Sequence, residues 1–77
     1  MIIDAHLHVW NPGSAPYPWL TEALHPIDRT LLLDDIAGEL DGAGVDRVVL
    51  VQAADNAADT EVMRAEAAHH PGRVAGI

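Results

Sequence analysis

The stretch RVVLVQAA, residues 47–54, narrows the choice of fold more than any other part of the chain. Its centre, Val48 to Val51, is apolar at every position and β-branched at three of the four. A strand with one wet face alternates, whereas an unbroken apolar run fits a strand covered on both faces in a parallel sheet. Parallel neighbours require a long crossover, usually a helix. Upstream, Leu33, Ile36, Ala37, Leu40 and Ala43 recur at helical spacing, with Asp34 and Asp35 at the positive end and Gly42 and Gly44 at the other. Downstream, a second helix is expected from Ala57 to His69, capped by Asp55 or Asn56 and closed by HHPG. Its inward side chains are expected to be Ala58, Val62, Met63 and Ala65.

Residues 2–10 read as a first strand, because Ile2, Ile3 and Val9 favour extended backbone and the turn formers NPGS follow. RVAGI, residues 73–77, begins a third. Strand, helix, strand, helix, strand describes an α/β protein with a parallel sheet and right-handed crossovers. Residues 11–30 carry four of the five prolines and no sustained period. Strand-to-helix loops usually take roughly 2–6 residues, and long ones are more often functional than idle.

A chain of 77 residues without cysteine has few ways to stabilise itself. Domains of this size bury only roughly 60% of their unfolded surface. A metal, association into a homo-oligomer, or further sequence would each help. Three parallel strands with two helices would also leave both sheet edges open, so residues 1–77 are expected to be a truncated portion of a longer α/β protein. Twelve acidic residues against four scattered arginines, net charge -8, argue against nucleic acid or an anionic membrane as partner. The opening MIIDAHLH lacks the features of a signal peptide, and no apolar run is long enough to span a bilayer, so a cytoplasmic location and a small-molecule substrate are expected.

The chemistry concentrates in IDAHLHVW, residues 3–10. Side chains alternate along a strand, so Asp4, His6 and His8 share one face while Ile3, Ala5, Leu7 and Val9 share the other. Two neutral imidazoles at i and i+2 can bind one divalent ion if acceptors fix their rings. The same pair could equally be satisfied structural histidines, since two ligands alone make a poor metal site. Asp4 lies deeper in the strand and reads as structural or supporting.

IDAHLHVW followed by NP and YPWL, together with LLLDDIAGELDGAGVDRVVLVQAA, resembles the amidohydrolase 2 family over nearly the whole chain. The likeness is to its lactonase branch, related to L-fuconolactone hydrolase and 2-pyrone-4,6-dicarboxylate lactonase. Phosphoesterases that open with a similar histidine strand tend to continue with threonine and a serine-aspartate-glycine run, where this chain has Val9, Trp10, Asn11 and Pro12. The resemblance implies the N-terminal βαβαβ portion of a (β/α)8 TIM barrel, spanning residues 1–77. It implies that His6 and His8 are metal ligands, with zinc the expected ion, although some lactonase relatives work without metal and use these histidines on substrate. It places the remaining ligand and the catalytic aspartate on later strands, so no catalytic residue is expected here and the chain alone should be inactive.

The three aromatics, Trp10, Tyr17 and Trp19, fall within ten residues at the start of the long loop. They either wall a substrate pocket, with indole and phenol groups free to hydrogen-bond, or pin the loop; Trp10 and Trp19 are the substrate-binding candidates. Arg29 could clamp a carboxylate or pair with a surface acid. Gln52, ending the second strand, could bind substrate or anchor a loop. His25, His69 and His70 read as structural or exposed. The function that the resemblance implies is hydrolysis of a small sugar-like or pyrone lactone by water attack on the ester carbonyl. Alternatives are a metal-dependent decarboxylase of the same fold and a non-catalytic fragment that needs a partner chain.

Overall fold

The computed structural model describes all 77 residues, Met1–Ile77. Along the chain run β1 (Ile3–Leu7), a 3-10 turn (Glu22–Leu24), α1 (Leu33–Gly42), β2 (Arg47–Leu50), α2 (Ala57–His69) and β3 (Val74–Gly76). The strands form one parallel sheet in the order β1-β2-β3, with the apolar run in the middle.

The expected strands are shortened for identifiable reasons. Val51 N–H still donates to the Leu7 carbonyl at 2.8 Å, but Ala53 and Ala54 turn their N–H groups to the Asp59 carboxylate and leave the ladder. After β1, Trp10 exchanges backbone hydrogen bonds of 3.0 and 2.9 Å with Leu31 in an antiparallel bridge. That bridge closes residues 11–30 into a loop. Within β1, Asp4 pairs with Val48 and Leu7 with Leu50, so β1 carries one extra residue over this interval. Such bulges re-aim side chains. Here the Asp4 carboxylate accepts the His6 N–H at 3.0 Å, which gives Asp4 a structural role at the irregularity.

Helix α1 ends as its glycines suggest. Gly44 has φ +73°, its N–H donates to Asp41 O, and Val45 N–H donates to Leu40 O, the paired bonds of a Schellman stop. At the start, Asp35 accepts from Leu32 N–H at 2.8 Å, and Leu33 N–H donates to Glu66 Oε2 of α2 at 3.0 Å. Helix α2 is capped by Asn56, whose side chain accepts from Asp59 N–H.

The inward face of α2 differs from expectation. Asp59, Val62, Met63 and Glu66 are buried, while Ala58 is half-buried and Ala65 exposed. The spacing is still i, i+3, i+4, i+7, but two carboxylates share the stripe because each finds backbone donors inside. Coverage of β2 also departs from expectation: Val48 and Leu50 are buried, whereas Val49 and Val51 are only half-buried. The hidden residues Val9, Leu33, Leu40, Val62, Met63 and Val74 join Val48 and Leu50 in one core. Full burial of a side chain such as Leu50 contributes about 1.5–3 kcal/mol. Ile3 on β1 and Ile77 just past β3 stay exposed. No helix is long and apolar enough to cross a membrane.

Two glycines of the same segment should respond oppositely to alanine. Gly38 lies inside α1 with open space where a Cβ would project, so Gly38→Ala should stabilise by about 0.5–1 kcal/mol. Gly44→Ala should cost about 1–2 kcal/mol, because the left-handed backbone disfavours any Cβ. Urea denaturation of the two variants checks the signs.

Candidate functional site

Parallel strands end on the same side of a sheet, and the loops that follow them gather there. His8 stands one residue past β1 and Val51 one residue past β2. The His6 and His8 rings meet edge to face, centroids 4.9 Å apart at 76°, with their Nε2 atoms separated by 3.1 Å. His8 Nδ1 lies 3.0 Å from the Val51 carbonyl oxygen. A carbonyl can only accept, so Nδ1 carries the proton and Nε2 presents its lone pair.

The donor set fits a divalent ion. Two nitrogens held about 2.0–2.1 Å from one tetrahedral zinc stand roughly 3.3 Å apart, close to the spacing found here. A backbone carbonyl on the second ring nitrogen is the usual support for a metal-binding imidazole. No group of three or more His, Cys, Asp or Glu side chains with ligand geometry occurs in the chain, so the two imidazoles stand without a third such group beside them.

Beside it, His8, Trp10, Trp19 and Ala53 line a cavity of about 280 Å³. Trp10 and Trp19 contact each other edge to face at 5.4 Å and 84°. Their indole N–H groups are spent on backbone carbonyls, Trp10 on Ile27 at 3.1 Å and Trp19 on Ala53 at 2.8 Å. Contrary to expectation, then, the indoles offer ring faces and not hydrogen-bond donors.

Tyr17 is buried, and its hydroxyl donates to Asp59 Oδ1 at 2.6 Å while accepting from Asn11 N–H. It pins the loop. Its pKa is pushed up to about 12, first by burial and then by the Asp59 hydrogen bond.

The other candidates are not gathered at the histidines. Gln52 donates its amide to Asn56 O at 3.0 Å and Thr60 Oγ1 at 3.4 Å, which ties it into the β2–α2 connector as an anchor. Arg29 is exposed and makes neither ion pair nor hydrogen bond; its neighbour Asp28 is taken by His25 at 3.1 Å. His69 Nδ1 contacts Ala65 O within α2, and His70 lies near Asp34 and Glu66. A larger groove, about 480 Å³ between the loop and α2, includes neither His6 nor His8. The residues missed from sequence are Asp59 and Glu66, 0% and 6% exposed. Their only signal was a seven-residue interval bracketing Val62 and Met63.

A family model described as Amidohydrolase matches residues 3–77. The chain superposes, with a TM-score of 0.83 and 23% identity, on a crystal structure of an amidohydrolase from Burkholderia multivorans with bound zinc. The match covers 100% of this chain and 27% of that one, so the chain spans little more than a quarter of that structure's length. The likeness shows the fold, the βαβαβ portion of a TIM barrel. No curated protein matches.

Tyr17, the single tyrosine, provides a direct optical test of the buried clamp. Its phenolate absorbance should appear near pH 12, and Asp59→Asn should move the midpoint down without reaching 10, because burial, the larger cause, remains. A raised pKa favours the neutral phenol in the fold. Its stabilising contribution is therefore complete below pH 10 and lost as pH rises through 12. A wild-type midpoint at 10 would contradict the placement.

Proposed function

This chain belongs to the amidohydrolase family, and on that premise we propose that it forms the metal-binding and ring-binding end of a hydrolase that opens a small lactone, sugar-like or pyrone-like. The observation that carries the reading is the 3.1 Å approach of His6 Nε2 and His8 Nε2 beside the cleft walled by Trp10 and Trp19. His6 and His8 would hold the divalent ion, and the zinc of the Burkholderia multivorans relative supports that choice. Bound there, such an ion supplies Lewis acidity toward an ester carbonyl.

The chain's own residues contribute orientation. Val51 O keeps the His8 proton on Nδ1, so Nε2 carries a lone pair that accepts from His6 Nε2–H at 3.1 Å and would serve as a ligand once that proton is displaced. Trp10 and Trp19 present ring faces whose polar edges are already satisfied, which suits the flat or puckered face of a small ring. Hydrolysis of a lactone adds water across the acyl C–O bond and yields a hydroxy acid. The remaining ligand and the general base are proposed to come from further strands of a closed barrel, and residues 1–77 alone are proposed to be inactive.

Calorimetric titration with zinc should show one ion per chain. His6→Ala and His8→Ala, which remove ligands, should each weaken binding by more than the roughly hundredfold that bounds the loss of a supporting contact. Zinc uptake unchanged in both variants would contradict the reading. In the complete enzyme, hydroxy acid released from a lactone panel is the expected product. Carbon dioxide released from an unsaturated acid would instead mark a decarboxylase, and turnover only with a second, different chain would mark a partner-completed barrel.

A further inference from the structure

We propose that Asp59 is a positioning residue for the aromatic cleft, holding both tryptophan walls and the support of His8 through one buried carboxylate. The proposal rests on the reading that this cleft receives the substrate ring. Asp59 is completely buried, yet none of the chain's ion pairs includes it. A buried charge without a cation is costly unless hydrogen bonds satisfy it. Here Oδ1 accepts from Tyr17 OH at 2.6 Å, while Oδ2 accepts from Ala53 N–H at 2.8 Å and Ala54 N–H at 3.2 Å. Its place in the first turn of α2 adds the favourable field of the helix N-terminus.

Each oxygen controls a different arm of the cleft. Oδ2 fixes the peptides that follow β2, and two carbonyls of that connector are aimed at the site: Val51 O at His8 Nδ1, 3.0 Å, and Ala53 O at Trp19 Nε1, 2.8 Å. Oδ1 fixes the Tyr17 phenol. The same phenol oxygen accepts from Asn11 N–H at 3.2 Å, next to Trp10, and the Tyr17 ring packs edge-on against Trp19 at 6.0 Å. The two walls therefore share one anchor. Loosening it changes the shape of the slot, and so which ring fits, without removing any group that touches the reacting bond.

Two variants of the chain separate the arms. Tyr17→Phe removes only the phenol arm; Asp59→Asn cannot accept all three donors and loosens both. The readouts are the far-ultraviolet circular-dichroism exciton couplet of the Trp10–Trp19 pair, the imidazole N–H signal of His8 in proton–nitrogen NMR, and calorimetric zinc affinity. Tyr17→Phe should weaken the couplet and leave the His8 signal and zinc affinity unchanged. Asp59→Asn should lose the couplet and the His8 signal and bind zinc about tenfold more weakly. In the complete enzyme, Tyr17→Phe should raise KM for ring substrates more than it lowers kcat. Asp59→Asn with native helicity and an unchanged couplet and His8 signal would overturn the proposal, as would a wild-type chain without the couplet. If Asp59→Asn loses its helicity, an unchanged couplet in Tyr17→Phe overturns it. A wild-type chain that binds no zinc defeats the metal reading but leaves the couplet and imidazole readouts standing, so the two failures are distinguishable.

Discussion

The hydrogen bond from His8 Nδ1 to the Val51 carbonyl, 3.0 Å long, joins the end of β1 to the end of β2 and decides which nitrogen His8 offers outward. It exists only because the strands run parallel in this register, with Val51 N–H already on the Leu7 carbonyl. A one-residue slip would send every side chain of β1 to the opposite face. Sheet pairing and imidazole geometry are thus one constraint. The bulge between Asp4 and Leu7 belongs to it as well, since that interval contains His6 and the Asp4 carboxylate accepts the His6 N–H.

Two buried carboxylates link the rest of the chain to that constraint. Glu66 takes the first N–H of α1 from across the helix pair, and Asp59 takes the connector behind β2 together with the long loop. Backbone donors are satisfied and cleft walls are positioned by the same few atoms. The Trp10–Leu31 bridge completes the frame by closing the loop at its base.

Periodicity carried the helices and the order of elements, because apolar spacing and glycine stops are local properties: Gly44 ends α1 as a left-handed residue should. It carried the shared face of His6 and His8 for the same reason, since alternation along a strand is local. What it could not carry was the hydrogen-bond partner of each polar group. Gln52 looked like a site residue from its place at the end of an apolar strand, yet Asn56 O, four residues on, takes its amide. Trp10 and Trp19 read either as pocket walls with free N–H groups or as loop pins, and only the fold shows Ile27 and Ala53 taking those N–H groups. Asp59 was passed over because acids are ordinarily assigned to the wet side of a helix, and only the fold reveals the three donors waiting inside.

Anomalous diffraction at the zinc edge from crystals of the zinc-loaded protein tests the central claim most directly. The account predicts one principal peak, about 2.0–2.1 Å from both His6 Nε2 and His8 Nε2, with His8 Nδ1 still on the Val51 carbonyl. A peak at His69 or His70 instead, or imidazoles 6 and 8 turned apart with no density between them, would contradict it.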